Sequence, residues 1–135
     1  SGRSVVVSEA FASTKTAATA VVIPANTDPN RLTALASMPQ ADLDALRDRA
    51  TDSLGVRFHA PYGVCLFLFG RDLAIIQNCL DEAANCTLVI KGWKSVEIAL
   101  RMPADGAAAL KGGAAMSVTV PARAMVVLRR ASASK

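Results

Sequence analysis

The sequence is poor in the residues that most often build catalytic and metal sites. Its 135 residues include one histidine, His59, and three cysteines, Cys65, Cys79 and Cys86, with no C-x-x-C pair. The spacings of six, fourteen and seven residues between these four positions match no zinc module. The sequence therefore predicts no metal site, no cofactor and no catalytic residue.

The short motifs of nucleotide binding and acyl transfer are also absent. Gly112-Gly113 is followed by Ala114-Ala115 rather than by Lys-Ser or Lys-Thr, and neither G-x-G-x-x-G nor G-x-S-x-G occurs. A small enzyme that uses His59 with a nearby Ser, Asp or Cys is an alternative. It predicts His59 in a pocket beside one of those side chains.

Long apolar runs are missing as well. The longest run, Val64 to Phe69, is far short of the roughly 18–20 residues that a membrane-spanning helix needs. The first residues, SGRSVVVSEAF, lack the apolar core of a signal peptide. Three cysteines are an odd number in a chain that does not need disulfides, which favours a reducing environment. We expect no membrane span and an intracellular location.

The residues that are present predict one mainly β domain over residues 1–135. Six or seven short Val- and Ile-rich segments recur at roughly 8–12 residue spacing, which is typical of an antiparallel β-sandwich. We place the sandwich core at 58–130 and a frayed tail at 131–135. The segment Val64 to Phe69 is apolar on both faces, which predicts a central strand with Phe67 and Phe69 in the core. Strict alternation in the segment 95–101 predicts Val96, Ile98 and Leu100 on the inward face.

A helical segment is expected within residues 24–57. The pair Ser37 and Gln40 fits a capping box, and Gly55 is placed to end a helix, so we expect one amphipathic helix at about 38–54. Its apolar face would hold the following residues: Leu43, Leu46, Ala50 and Leu54. Pro29 predicts a short second helix at about 29–37.

The stretch from residue 65 to residue 90 has two interpretations. Its two polar breaks fit two turns that join three strands, which places Cys79 and Cys86 on either side of one hairpin loop. On that interpretation the two cysteines either face each other or are small buried hydrophobic residues. The alternative makes residues 72–85 a helix, but Ile75-Ile76 and the short lengths favour strands.

Positive charge is concentrated in the C-terminal part of the chain. Residues 86–135 contain eight Lys or Arg and two acidic residues, whereas residues 1–85 contain seven basic and nine acidic residues. Solvated strand faces and a basic tail would explain this, but an acidic protein surface or a partner subunit would also fit it. Nucleic acid is an unlikely partner. The candidate binding residues are an aromatic side chain and its basic neighbours: Trp93, Lys91, Lys94, Arg129 and Arg130.

Two segments resemble a known class of domain. The segments Gln77-Asn78-Cys79-Leu80-Asp81-Glu82 and Val120-Pro121-Ala122-Arg123-Ala124-Met125-Val126-Val127-Leu128 are similar to the C-terminal β-sandwich accessory domains of large modular hydrolases. Those hydrolases include glycoside hydrolases and calpain-type proteases. The resemblance spans residues 72–130 and implies a domain without catalytic residues.

These observations favour a non-catalytic protein-interaction or structural module, as a subunit or terminal domain of a larger assembly. The first alternative is a carbohydrate-binding accessory domain, which predicts Trp93 in a shallow groove. The second alternative is the His59 enzyme described above.

Overall fold

The described part of the chain folds into short antiparallel strands and a helix of 12 residues. We describe residues 4–8, 20–24, 36–104, 108–111 and 115–131 of a computed structural model of the chain, and the first two ranges by backbone alone. Helix α1 spans Gln40–Thr51 and runs into a 3-10 turn at Asp52–Leu54. The strands are β1 (Ser4–Ser8), β2 (Ala20–Pro24), β3 (Val56–His59), β4 (Val64–Phe69), β5 (Leu73–Asn78), β6 (Ala84–Ile90), β7 (Val96–Met102), β8 (Ala109–Lys111), β9 (Met116–Val120) and β10 (Met125–Arg130).

Eight of these strands form two four-stranded antiparallel sheets. The first, here called the front sheet, has the order β4-β5-β10-β7, and the second, the back sheet, has the order β3-β6-β9-β8. Strands β1 and β2 pair separately as an antiparallel ribbon. The mainly β sandwich with a helix near 38–54 is therefore confirmed. The second helix expected at 29–37 lies, apart from its last two residues, outside the described residues.

The core lies between the two sheets because every second residue of each strand points inward. In the front sheet Ile76 and Leu128 are fully buried, and in the back sheet Leu88 and Val118 are fully buried. Burial of each such side chain contributes about 1.5–3 kcal/mol relative to leaving it in water. The inner layer is therefore the main source of stability, and both sheets contribute fully buried side chains to it.

One buried polar side chain, Asn78 of β5, joins the two sheets. Its Nδ2 donates hydrogen bonds to the carbonyl oxygens of Glu82, Val120 and Pro121 at 2.8, 3.1 and 3.0 Å. Its Oδ1 accepts a hydrogen bond from the Leu80 N–H at 2.9 Å. Because one amide side chain satisfies several backbone groups, Asn78 fixes the turn after β5 against the end of β9.

Helix α1 lies along the free edge of β3. Leu43 is buried, Leu46 and Ala50 are half-buried, and Leu54 remains about half exposed. The predicted capping box is wrong, since the helix begins after Pro39 without a side-chain cap hydrogen bond. Gln40 instead donates to Ala60 O and to the Asp44 carboxylate, because the packing of α1 on β3 brings it to those acceptors.

Gly55 ends the helical segment, as the sequence predicts. Its φ of 66° lies in the left-handed region, and its N–H donates to Asp52 O. A Cβ at this position would lie 2.9 Å from Lys91 Cβ, so glycine meets both a backbone and a steric requirement here.

The expectation that Val64 to Phe69 forms a central strand with both faces covered is wrong. Strand β4 pairs only with β5 and lies at the edge of the front sheet. Phe67 and Phe69 are 43% and 54% exposed and lie outside the core. The segment is apolar on both faces because its outward side belongs to an exposed apolar surface, which alternation alone cannot distinguish from burial.

The inward orientation expected for Leu100 is also wrong. Ile98 pairs with Leu128, but the next pair along β10 is Val127 with Leu100, so Ala99 is an extra residue in the ladder. Such a bulge shifts the alternation by one residue. Val96 and Ile98 contact the core, whereas Leu100 turns outward and is 50% exposed.

The stretch 65–90 does contain three strands, but only one hairpin. Strands β4 and β5 pair in the front sheet, whereas β6 belongs to the back sheet. Cys86 is buried in the core and Cys79 is exposed at the end of β5, so these two cysteines do not face each other across a hairpin. The helical alternative for 72–85 is excluded by β5 and the start of β6.

Candidate functional site

The outer face of the back sheet is polar. Its central row crosses all four strands as His59, Thr87, Ser117 and Lys111. In the adjacent row the Thr119 hydroxyl donates to Asn85 Oδ1 at 2.8 Å. This alternation of buried apolar and outward polar residues is typical of a sheet whose outer face meets water.

The outer face of the front sheet is apolar. Its central row also crosses four strands, as Phe67, Ile75, Val127 and Leu100. The rows on either side add further apolar residues: Cys65, Met125, Met102, Phe69 and Leu73. Leu100 and Met102 are 50% and 51% exposed. We call this surface the outer apolar face.

The size of the outer apolar face follows from strand geometry. Four strands at about 4.8 Å spacing, each contributing about five residues at 3.4 Å rise, give a surface roughly 15 Å on each side. A contiguous apolar patch of a few hundred Å² is near the upper limit for a protein without a partner. Singly exposed apolar residues are common on protein surfaces. A contiguous row of four across a sheet is instead typical of a surface that contacts a partner.

The five binding residues expected from the sequence lie at one end of the sandwich. Lys94, Arg129 and Arg130 line a hollow of about 410 Å³ together with Asp72 and Gly92. Lys91, Trp93 and Arg130 line a second, larger hollow. The tertiary structure therefore brings together residues that are up to 39 positions apart in the sequence.

Acidic neighbours reduce the positive charge at this end. Arg129 Nε donates to Glu97 Oε1 at 2.7 Å, and Arg130 lies 3.9 Å from the Asp72 carboxylate. Lys91 and Lys94 are exposed and belong to no ion pair of the described residues. Of the five expected residues, the two lysines are thus the cations most available to an acidic partner.

Trp93 is half-buried and packs against the core. Its indole N–H donates to Arg71 O at 3.0 Å, and its backbone N–H donates to Ile90 O. The ring forms part of the wall of the larger hollow. These contacts hold the indole in place.

The larger hollow, here called the edge groove, lies beside the free edge of β4 and has a volume of about 720 Å³. Helix α1 forms one side and β4 the other. Its lining residues are Arg47, Ala50, Thr51, Leu54, Val56, Phe58, Val64, Cys65, Leu66, Phe67, Leu68, Gly70, Arg71, Leu73, Ile90, Lys91, Trp93 and Arg130. A mostly apolar groove with a few cations at its rim has the composition of a ligand or peptide site.

Arg47 is a site residue that the sequence analysis did not single out. Its guanidinium donates to the carbonyl oxygens of Ala60, Pro61 and Val64 and lies 5.3 Å from the centroid of the Phe58 ring. Burial lowers the pKa of Arg47, and nearby Asp44 opposes that shift. Helical periodicity predicts an outward polar side chain at position 47. It cannot show that the fold places the carbonyl oxygens of residues 60, 61 and 64 within hydrogen-bonding distance of it.

His59 contacts a carboxylate on the outer side of β3. Its Nε2 lies 2.9 and 3.1 Å from the two carboxylate oxygens of Asp48. His59 lines neither of the two hollows. The observed contact ties β3 to α1.

The three thiols differ in their surroundings. Burial raises the pKa of Cys86 to about 11, with Arg47 opposing the shift. Partial burial also raises the pKa of Cys65, and the neighbouring Cys79 thiol adds to the rise through charge and a hydrogen bond. Cys65 and Cys79 are thus the neighbouring cysteine pair in the fold, rather than Cys79 and Cys86.

The described part of the chain shows neither a metal-binding cluster nor a membrane-spanning helix. It contains no group of three or more His, Cys, Asp or Glu side chains that could hold a metal ion. None of its helices is both long and apolar enough to cross a membrane. Comparison of the chain with models of protein families, with curated proteins and with solved structures finds no match.

Proposed function

We propose that this protein is a non-catalytic interaction module that docks on a partner protein through the outer apolar face. The observation that carries the proposal is the central row Phe67, Ile75, Val127 and Leu100, which lies on the solvent side of a sheet. Burying such a row contributes about 25 cal/mol per Å² of apolar area removed from water. The partner is a separate subunit or another domain of a larger assembly.

The basic end of the sandwich supplies the charge that orients the partner. Lys91 and Lys94 lie near the Arg129 and Arg130 pair, beside the end of the outer apolar face where Arg129 pairs with Leu73. An apolar centre with a polar or charged rim is the usual anatomy of a protein interface. The rim here is basic, so the partner is expected to present an acidic surface beside an apolar one.

The experiment places a photo-crosslinking amino acid at position 100 of the protein expressed in its source cells. The matched control carries it at position 87, on the polar face of the back sheet. The expected result is one dominant crosslinked species from position 100 and none from position 87. The substitution Met102→Ser, on the same face and outside the edge groove, should strongly reduce that species without changing the melting temperature by more than a few degrees. Equal crosslinking from both positions would refute the proposal.

The role of the basic end is tested separately. Trp93→Ala, Arg129→Ala and Arg130→Ala are combined in the same crosslinking background. We expect a lower yield and a shallower dependence on salt, because rim charges act mainly on the association rate and fewer of them remain for salt to screen. An unchanged yield would show that the basic end does not contribute to binding and that the interface is limited to the outer apolar face.

A further inference from the structure

Strand β4 has a free edge whose backbone groups are not all paired. The Cys79 N–H donates to Gly63 O, which places the backbone groups of residues 65, 67 and 69 toward β5. Val64 faces the other way, since its N–H donates to Pro61 O and its carbonyl accepts from Arg47. By the same alternation the N–H and C=O of Leu66 and Leu68 point into the edge groove.

No hydrogen bond among the described residues reaches those groups of Leu66 and Leu68. The free edge of β3 is different, because α1 covers it. Thr51 donates to Val56 O, while Gln40 and Arg47 donate to Ala60 O. The edge of β3 is therefore covered by α1, whereas the edge of β4 remains free to pair with a further strand.

The edge groove also has apolar walls at the right places. The half-buried side chains of Leu66 and Leu68 lie on one side, and Ala50 of α1 and Leu54 of the following 3-10 turn lie on the other. A fatty acyl chain would fill the apolar space but would leave the two N–H and two C=O groups without partners. An extended peptide fills the space with alternate side chains and pairs the backbone groups as well.

The charges of the edge groove are unequal at its two ends. At the Val64 end, Arg47 is occupied by three carbonyl oxygens. At the Gly70 end, Arg71 and Lys91 belong to no ion pair of the described residues, and Arg130 has only Asp72 at 3.9 Å. The ligand should therefore carry negative charge at the Gly70 end.

We propose that the edge groove binds an extended peptide segment of a partner protein, which adds as a fifth strand beside β4. Apolar side chains of the peptide lie between α1 and β4, and an acidic residue lies beside Arg71 and Lys91. This rests on the proposed function as an interaction module and adds a second contact with a defined chemistry. The edge groove shares Cys65, Phe67 and Leu73 with the outer apolar face. Leu100 and Met102 belong to the face and do not line the groove, so substitutions at positions 100 and 102 test the face separately and the two proposals can fail independently.

The first test is a selection from a phage-displayed library of random ten-residue peptides. We expect enriched peptides to alternate apolar residues and to carry Asp or Glu toward one end. They should bind Ala50→Trp, which fills the edge groove, at least tenfold more weakly than the wild type. The pair Arg71→Glu and Lys91→Glu should weaken binding by a similar factor. Leu100→Ser, on the outer apolar face, should leave binding unchanged.

A matched pair of variants tests the backbone contact itself. Leu66→Pro removes the N–H that points into the edge groove, at an edge position where proline is tolerated. Leu66→Ala removes a similar amount of side chain but keeps the N–H. The proposal expects at least tenfold weaker binding to the proline variant than to the alanine variant, with both variants folded by circular dichroism.

Hydrogen exchange gives an independent readout on the unmodified protein. A selected peptide should slow exchange of the Leu66 and Leu68 amides at least tenfold, and should leave the already paired amides of Cys65 and Phe67 unchanged. Selected peptides that bind Ala50→Trp as tightly as the wild type would overturn the proposal. So would an absence of enriched peptides together with binding of dodecanoate that Ala50→Trp abolishes, which would indicate a fatty-acid site.

Discussion

The two sheets of the sandwich are alike on their inner faces and opposite on their outer faces. Both bury fully enclosed aliphatic residues, such as Ile76 in the front sheet and Leu88 in the back sheet. Outside, the back sheet presents the row His59, Thr87, Ser117 and Lys111, whereas the front sheet presents Phe67, Ile75, Val127 and Leu100. The inner faces serve folding. The outer faces differ, and the apolar face of the front sheet is the one that we propose to bind a partner.

The edges show the same contrast. Helix α1 covers the free edge of β3 in the back sheet, and its side chains cap the carbonyl oxygens of Val56 and Ala60. The free edge of β4 in the front sheet is capped only at Val64. The back sheet therefore has a polar outer face and a covered edge on this side, whereas the front sheet has an apolar outer face and an open edge.

The largest effect is expected from the residue that joins the sheets. Asn78→Ala removes four hydrogen bonds to backbone groups and leaves those groups without partners in a buried region. The expected loss is about 3–5 kcal/mol of unfolding free energy, measured by urea denaturation. Gln77→Ala, one residue away and exposed, should cost less than about 0.5 kcal/mol. A loss below 1 kcal/mol for Asn78→Ala would mean that the sheets hold together without it.

The second prediction compares the packing of the inner faces of the two sheets. Ile76→Ala and Leu88→Ala each leave a cavity at a site with no exposed surface. Both should therefore lower the unfolding free energy by about 3 kcal/mol. Leu100→Ala on the outer apolar face should cost less than about 1 kcal/mol. If only one of the two substitutions is costly, the fully buried sites at positions 76 and 88 are not equivalent in packing.

The third prediction uses pH and the thiol of the back sheet. Burial raises the pKa of Cys86 from 9.0 to about 11, so the folded state favours the neutral thiol. This stabilisation is complete below pH 9 and is lost as the pH rises to about 11. The expected loss is on the order of 2 kcal/mol. Cys86→Ala should be less stable at pH 8 but should show a shallower decline from pH 9 to 11. Parallel declines would show that the Cys86 thiol is not the titrating group.

The smallest effect is expected at the ion pair of the front sheet. Arg129 and Glu97 form a hydrogen-bonded pair, but their side chains are 58% and 49% exposed. A double-mutant cycle with Arg129→Ala and Glu97→Ala should give a coupling of about 0.2–1 kcal/mol that falls with added salt. A coupling above 2 kcal/mol would show that the pair is important for folding.

Much of the fold could be predicted from local patterns. Strand β5 and strand β6 follow apolar segments bounded by turn residues, and Gly55 marks the end of the helical segment. Two side-chain orientations could not be predicted in this way. Whether Phe67 and Phe69 face a core or solvent depends on which strands flank β4, and the direction of Leu100 depends on an extra residue in β7.

The candidate site was predictable only in part. The basic end follows from composition, because lysines and arginines accumulate after residue 86. The edge groove and the role of Arg47 do not, since they arise where α1, β3 and β4 meet. Contacts between residues 47 and 64 depend on long-range pairing that local periodicity does not encode.

The sequence by itself determined the secondary structure, the mainly β class and the charge of the C-terminal part, because these depend on side-chain period and composition. The tertiary structure decided which apolar residues remain outside the core. An apolar residue on a strand is driven to leave water, but only the arrangement of the sheets determines whether its own chain can cover it. In the front sheet the chain leaves Phe67 and Leu100 exposed, and that surface is the basis of the function proposed here.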